Sequence, residues 1–292
     1  MQRPNAVRPL RVVIVILGFA FGAYFAYTSP FRGAPLWPAW APLVIGSTGA
    51  AGLVFNYGLN RWAELTRYRG LRVRVSDVAP RIAIIWGAVT IGVVVLVILP
   101  IPVRVTWRHV ALISVLLLGS LPAAGVMGAI HYVADRQCRP GTRGEQTAQL
   151  IRLRGLLQRL LAAVGSLVAL STLALGASIR LEQGLRAGTG HAIGHNLQPQ
   201  FVLVFGGIGS VLVALFYVPA GAALQRRGQC LADELFPLSR ANEAGAILSA
   251  ADDRHKLELL LGVDRGIFTD LQSGLAILGP LLASAVAAFL SP

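Results

Sequence analysis

The sequence predicts an all-α fold, a polytopic transmembrane helical bundle of about seven spans. Charged residues make up only 13% of the 292-residue chain, whereas a soluble domain carries about 25%. Hydrophobic residues make up 55%, and seven long apolar stretches contain no Asp, Glu, Lys or Arg. Both observations are typical of an integral membrane protein.

Each of the seven stretches is long enough to cross the hydrocarbon layer, which takes about 20 residues of helix. The centre of the second stretch, residues 45–52, consists almost entirely of Gly, Ala, Ser and Thr. Small residues suit contacts between helices, so this span is predicted to lie inside the bundle. The predicted spans are Val12–Ser29, Trp40–Leu59, Ile82–Val103, Val110–Val133, Leu160–Ile179, Phe201–Leu224 and Leu271–Leu290.

The basic residues predict the orientation of these spans. Of 26 Lys and Arg residues, 21 lie at the N-terminus and after spans two, four and six. Cationic segments are retained in the cytoplasm, so the N-terminus is predicted to be cytoplasmic and the C-terminus external. A cleaved signal peptide with a small-residue site at Ala20 and Gly22 is an alternative for the first span. The almost exclusive use of Arg favours a GC-rich bacterium, and hence its cytoplasmic membrane.

The net charge of +13 would indicate nucleic acid in a soluble protein. Here the charge is spread over short segments that flank spans, so anionic lipid at the cytoplasmic face is the predicted partner instead. Cys138 and Cys230 lie in segments predicted to be cytoplasmic, where thiols stay reduced. Neither has neighbouring ligands at zinc spacing, so no disulfide, metal or other cofactor is predicted.

The chain is predicted to form one transmembrane domain over residues 1–292, with the helices of spans five and six extended into the cytoplasm. Span six continues past Leu224 to Phe236, where Pro237 stops it. Before span five, leucines repeat at helical spacing from about Gln146 without an intervening Pro. These leucines are Leu150, Leu153, Leu157, Leu160 and Leu161.

Residues 225–270 are predicted to be a cytoplasmic helical segment that packs on the membrane part, because so short a segment cannot build its own core. Residues 249–252, from Ser249 to Asp252, read as a capping box that opens a helix. Leu257, Leu260 and Leu261 are predicted to share its packing face, and Gly262 to end it.

Two pairs of residues are candidates for a polar cavity. Asn56 and Asn60 lie one turn apart near the inner end of span two, where amides line a cavity or bond to neighbouring helices. His131 and Asp135 are four apart at the inner end of span four. That spacing fits a proton-handling pair or half of a metal site, although both residues also suit the headgroup region.

A second histidine pair, His191 and His195, has the same spacing in the external loop. The loop is rich in glycine and lacks the glutamate of an HExxH motif, so a flexible loop is the favoured interpretation. No metal site is predicted from either pair.

The predicted spans contain no ionisable group near their middle, where ion-coupled transporters and intramembrane hydrolases place theirs. No catalytic residue is predicted, and an enzyme is disfavoured. The leading hypothesis is a non-enzymatic bacterial multi-pass protein that acts as a subunit, anchor or regulator through its cytoplasmic face.

That face would engage a protein partner, a second copy of the chain or anionic lipid. A permease or channel for a neutral or apolar solute is the alternative, and a membrane enzyme acting on lipid headgroups is third. The candidate interaction residues are Arg152, Arg154, Arg226, Arg227, Asp233, Glu234, Asp252 and Asp253.

Overall fold

The computed structural model describes residues 7–30, 32–67, 107–135, 142–189, 199–237 and 244–262, with isolated positions within 76–87 and 278–285. In this part of the chain the structure is all-helical and contains no strand, which confirms the predicted class. The helices are α1 (Val7–Tyr27), α2 (Trp37–Arg67), α3 (Trp107–Asp135), α4 (Arg143–Thr189), α5 (Pro199–Leu235) and α6 (Ala244–Leu261).

Four of these helices, α2 to α5, are long and apolar enough to cross a membrane, and α1 contains a shorter apolar helix over Arg11–Tyr27. Predicted spans three and seven, Ile82–Val103 and Leu271–Leu290, lie almost wholly outside the described residues. The structure is therefore that of a helical membrane protein with four candidate spans, while the total of seven stays a prediction.

The outer surface of the bundle is rich in large apolar side chains. Val12, Ile16, Leu17, Leu118 and Val211, from three different helices, are each between 58% and 60% exposed. Soluble proteins rarely expose apolar surface on this scale, whereas hydrocarbon accepts it without cost. This surface suits contact with lipid chains.

Helix α2 lies inside the bundle, as its small residues predict. Between Leu43 and Leu65, only Leu53 and Leu59 are exposed. A Cβ atom placed at Gly58 would lie 2.5 Å from the backbone nitrogen of Ala123 on α3. Backbones approach this closely only where a side chain is missing, so glycine sets the distance between α2 and α3.

The close contacts of α2 also give the directions of its neighbours. Gly18 of α1 lies against Thr48, whereas Gly52 lies against Ile14, so α1 and α2 are antiparallel. Ala51 lies against Gly119 and Gly58 against Ala123, so α2 and α3 are parallel. The end of α2 and the start of α3 therefore lie at opposite ends of the bundle.

Helix α4 is antiparallel to α2, because Arg152 near its start pairs with Glu64 near the end of α2. Helix α5 is antiparallel to α4, since Arg227 near its end bonds to Gln146. One end of the bundle consequently holds the N-termini of α1 and α4 and the C-termini of α2, α3 and α5. We call it the charged end, and it is the end predicted to be cytoplasmic.

Helices α4 and α5 are longer than a bilayer requires, as predicted. At 1.5 Å per residue, the 47 residues of α4 extend about 70 Å and the 37 residues of α5 about 55 Å. A capping box that was not predicted from the sequence starts α4. The amide of Thr142 donates to Glu145 Oε2 at 3.1 Å, and the amide of Glu145 donates to Thr142 Oγ1 at 3.4 Å.

Helix α6 begins earlier than predicted, so the capping box at residues 249–252 is wrong. The residues before Ser249 include Ala244, Ile247 and Leu248, which continue a helix readily, and the serine lies inside it. The helix ends as predicted at Gly262, which has φ of +61° and donates its amide to the carbonyl of Leu259 at 3.0 Å.

The predicted packing face of α6 is right for two of its three leucines. Leu261 is buried and Leu257 packs against the core. Leu260 is 70% exposed, so its assignment to this face is wrong. Successive helical residues turn by about 100°, which rotates Leu260 away from the side that Leu261 buries.

The α2–α3 contact yields a matched pair of tests. We expect Gly58→Ala to destabilise the protein by about 1–3 kcal/mol, because the methyl group has to displace backbone atoms of α3. Gly46→Ala, where a Cβ meets nothing within 4 Å, is the control. The measurement is the apparent Tm in detergent, followed by size-exclusion chromatography after heating; equal Tm values for the two variants would contradict the close approach.

Candidate functional site

Glu64 joins two helices at the charged end. Its carboxylate pairs with Arg61 on the preceding turn of α2, at 2.5 Å, and with Arg152 on α4. The guanidinium of Arg61 also lies over the ring of Tyr57, 5.0 Å from its centroid. One carboxylate thus receives two cations and ties α2 to α4.

Arg154 fixes the end of α6. Its Nη1 donates to the carbonyl oxygen of Leu261 at 2.5 Å, where the last turn of a helix leaves carbonyls without an intrahelical donor. A cation is also favoured there by the helix dipole. The guanidinium lies against Gly262, and any side chain at that position would overlap it.

Arg254 ties α6 to α5. Its Nη1 lies 2.7 Å from Asp233 Oδ1 on α5, and its Nε donates to Glu258 Oε1 at 2.8 Å. The hydrogen bond with Glu258 is the main reason that the pKa of Arg254 is raised. Arg154 thus joins the end of α6 to α4, and Arg254 joins the middle of α6 to α5.

The predicted interaction residues divide into two groups. Arg152, Arg154, Arg227 and Asp233 form links between helices of the bundle itself. The others lie on the surface. Arg226 and Glu234 are exposed, and Asp252 and Asp253 pair with Lys256 within α6. The hydrogen bond from Lys256 lowers the pKa of Asp252.

The structure separates the predicted cavity residues into two places. Asn60 Nδ2 donates to Asn56 Oδ1 at 3.4 Å, on the same face of α2 as Glu64. His131 Nδ1 lies 3.1 Å from the carbonyl oxygen of Pro219, so it donates to α5, while Asp135 is exposed. His131 is therefore a link between α3 and α5.

The second histidine pair of the sequence, His191 and His195, lies outside the described residues. Within those that are described, no group of three or more His, Cys, Asp or Glu side chains is placed to hold a metal ion. Arg254 was not among the predicted site residues. Its four-residue spacing from Glu258 could have predicted an ion pair within the helix. Nothing in the sequence could have predicted its pairing with Asp233 on another helix.

The outer face of α6 combines apolar and acidic side chains. Leu248 is 71% exposed, and Leu259 and Leu260 are exposed with it. Asp252 and Asp253 lie between them with the single cation Lys256, so this face carries a net negative charge. It differs in this from the rest of the charged end, which is basic.

Glu64→Gln tests the α2–α4 link. The amide keeps the shape of the carboxylate but not its charge, so both Arg61 and Arg152 lose an ionic partner, and we expect a loss of about 1 kcal/mol of stability. Asp252→Asn, in an exposed pair within a single helix, is the matched control and should leave the apparent Tm unchanged. Equal effects of the two variants would contradict a structural role for Glu64.

Arg154→Met tests the anchoring of α6. The long apolar side chain remains but the carbonyl of Leu261 loses its donor, and we expect amide exchange over residues 255–262 to become roughly tenfold faster. Arg159→Met removes an exposed arginine from the same helix and should change nothing. Hydrogen exchange followed by mass spectrometry measures both; unchanged protection in Arg154→Met would show that α6 is held by other contacts.

No family model matches this chain, and neither a curated protein nor a solved structure is detectably similar to it. Its function is therefore argued from the chemistry of its own residues.

Proposed function

We propose that the protein is a non-enzymatic, multi-pass subunit, anchor or regulator of the bacterial cytoplasmic membrane that binds a partner protein through the outer face of α6. The observation that carries this proposal is the exposure of Leu248, Leu259 and Leu260 on a helix whose inner side is already fixed. Arg154 and Arg254 hold that inner side.

Exposed leucines need a different explanation here than on the spans. On α1 to α5 such side chains suit lipid, but α6 lies at the level of Arg154 and Asp233, among charged groups. Burying one leucine against a partner contributes about 1.5–3 kcal/mol. Because α6 is held in place before binding, little ordering entropy opposes that gain.

Charge favours a protein over the membrane surface as the occupant. The face carries Asp252 and Asp253 against one Lys256, and Glu234 is exposed at the end of the neighbouring helix. An anionic leaflet repels such a face. A protein surface that offers apolar side chains flanked by Lys or Arg complements it.

The proposal places the charged end in the cytoplasm, within a seven-span, N-in and C-out topology. Its support is the distribution of cations, because 21 of the 26 lie in the segments assigned to that side. The helix directions agree, since α1 to α5 bring their cationic termini to the same end.

The two alternatives receive less support. Asn56 and Asn60 share their face of α2 with Leu53, which is exposed, so in the described bundle they do not line an internal path for a solute. His131 is bonded to the carbonyl of Pro219 and does not pair with Asp135, which removes the acid–base pair that an enzyme acting on lipid would use.

The test is recovery of a partner after crosslinking in native membranes and purification in mild detergent. We expect a specific protein to be recovered with the natural sequence and lost at least tenfold in the double variant Leu248→Glu, Leu260→Glu. Ala148→Glu, an exposed position of α4, is the control for an added charge. Equal recovery with both variants, or solute flux through the isolated protein in liposomes, would contradict the proposal.

A further inference from the structure

The outer face of α6 consists of two parallel rows of side chains. Successive members of each row are four, three and four residues apart, a spacing that keeps them in line along one side of a helix. All eight are exposed, so no described residue covers either row. The first row is Leu248, Asp252, His255 and Leu259, and the second is Ser249, Asp253, Lys256 and Leu260. We call the space between the two rows the α6 groove.

Leucines lie at both ends of the α6 groove. Leu248 is 71% exposed at one end, and Leu259 and Leu260 are 48% and 70% exposed at the other. The eleven residues from Leu248 to Leu259 extend about 17 Å along the helix axis. Two apolar contacts this far apart on one line fit an elongated partner that lies along α6.

The middle of the α6 groove is charged. Lys256 Nζ lies 2.7 Å from Asp252 Oδ2 and 3.6 Å from Asp253 Oδ1. One ammonium group against two carboxylates leaves one net negative charge between the leucines. A cation on the partner complements that charge, whereas an anion is repelled by it.

An α-helix is the element that fits the α6 groove. Rows at three- and four-residue spacing leave a groove that accepts a row of side chains from a second helix. A helix also pairs its own backbone groups, whereas an extended segment would bring N–H and C=O groups without partners against leucine side chains. Because Arg154 and Arg254 already hold α6, the groove is presented before binding.

We propose that the partner of α6 is a basic amphipathic helix that lies in this groove, an inference that rests on the proposed function. Its apolar side chains contact Leu248 at one end and Leu259 and Leu260 at the other, so they are about eleven residues apart. A Lys or Arg between them faces the carboxylates of Asp252 and Asp253. The leucines supply most of the affinity, and the charge selects the partner.

Photo-crosslinking tests whether the partner is a helix. A p-benzoylphenylalanine replaces Ser249 or His255 in the full-length protein in native membranes, and the partner residue attached to each is mapped. The two positions lie about 9 Å apart along α6. We expect the attachment sites to be about six residues apart in one partner segment, because 9 Å of helix contains six residues. An extended segment would place them about three residues apart.

Two charge variants test whether the partner helix is basic. Lys256→Gln leaves two carboxylates and should raise recovery of the crosslinked partner roughly threefold. The double variant Asp252→Asn, Asp253→Asn leaves only the ammonium group and should lower recovery by a similar factor. The apparent Tm of each variant confirms that it is folded. The crosslinker at Ala148, an exposed position of α4, is the control and should not attach to the same segment.

Other results would overturn the proposal. Attachment sites about three residues apart, or scattered over several segments, would exclude a helix. Equal recovery in both charge variants, or a change of the same sign, would exclude a basic one. Attachment only within the same chain, or only to a second copy of it, would assign the α6 groove to this protein itself.

The same data separate this proposal from the proposed function. A partner that is lost in the double variant Leu248→Glu, Leu260→Glu but is extended or not basic contradicts the helix and leaves the proposed function standing. Recovery of no protein with the natural sequence contradicts both.

Discussion

Hydrocarbon excludes ionised side chains, and the architecture of this protein depends on that exclusion. Because no span can carry Asp, Glu, Lys or Arg at low cost, the charges collect at the ends of the helices, and most of them at one end. The helix directions bring these termini to the same end, where Glu64 pairs with Arg152, Arg154 bonds to the end of α6, and Arg254 pairs with Asp233. The exclusion of charge from the lipid layer thus concentrates the ion pairs in one region, which is the only part of the described structure that is rich in them.

The apolar and the charged parts of the bundle are held together differently. Within the spans, small residues such as Gly58 and Gly119 allow backbones to approach, and dispersion contacts stabilise the pairs of helices. At the charged end, ion pairs and a capped carbonyl add to the apolar contacts of buried leucines such as Leu150, Leu231 and Leu261. These polar links fix α6 on the bundle. Leu248, Leu259 and Leu260 remain exposed on its outer face, and that exposure is the basis for proposing a partner surface there.

The sequence predicted the features that depend on one helix at a time. The end of α5 before Pro237, the length of α4 and the interior position of α2 follow from residue types along a single segment. The contacts between different helices could not be predicted from the sequence. A span that is apolar on every side gives no information on its rotation about its axis, and that rotation decides whether Glu64 faces Arg152 or lipid. The start of α6 was missed because Ser249 resembles a cap while its preceding residues continue the helix.

The segregation of charge to a single, cytoplasmic end is the central claim, and labelling of single cysteines tests it most directly. With Cys138 and Cys230 replaced by Ser, one cysteine is placed at Gly33, exposed at the end opposite the charged one, and another at the exposed Glu234. In intact spheroplasts an impermeant maleimide should label position 33, and position 234 only after permeabilisation. Labelling of both positions from outside, or of position 234 alone, would contradict the account.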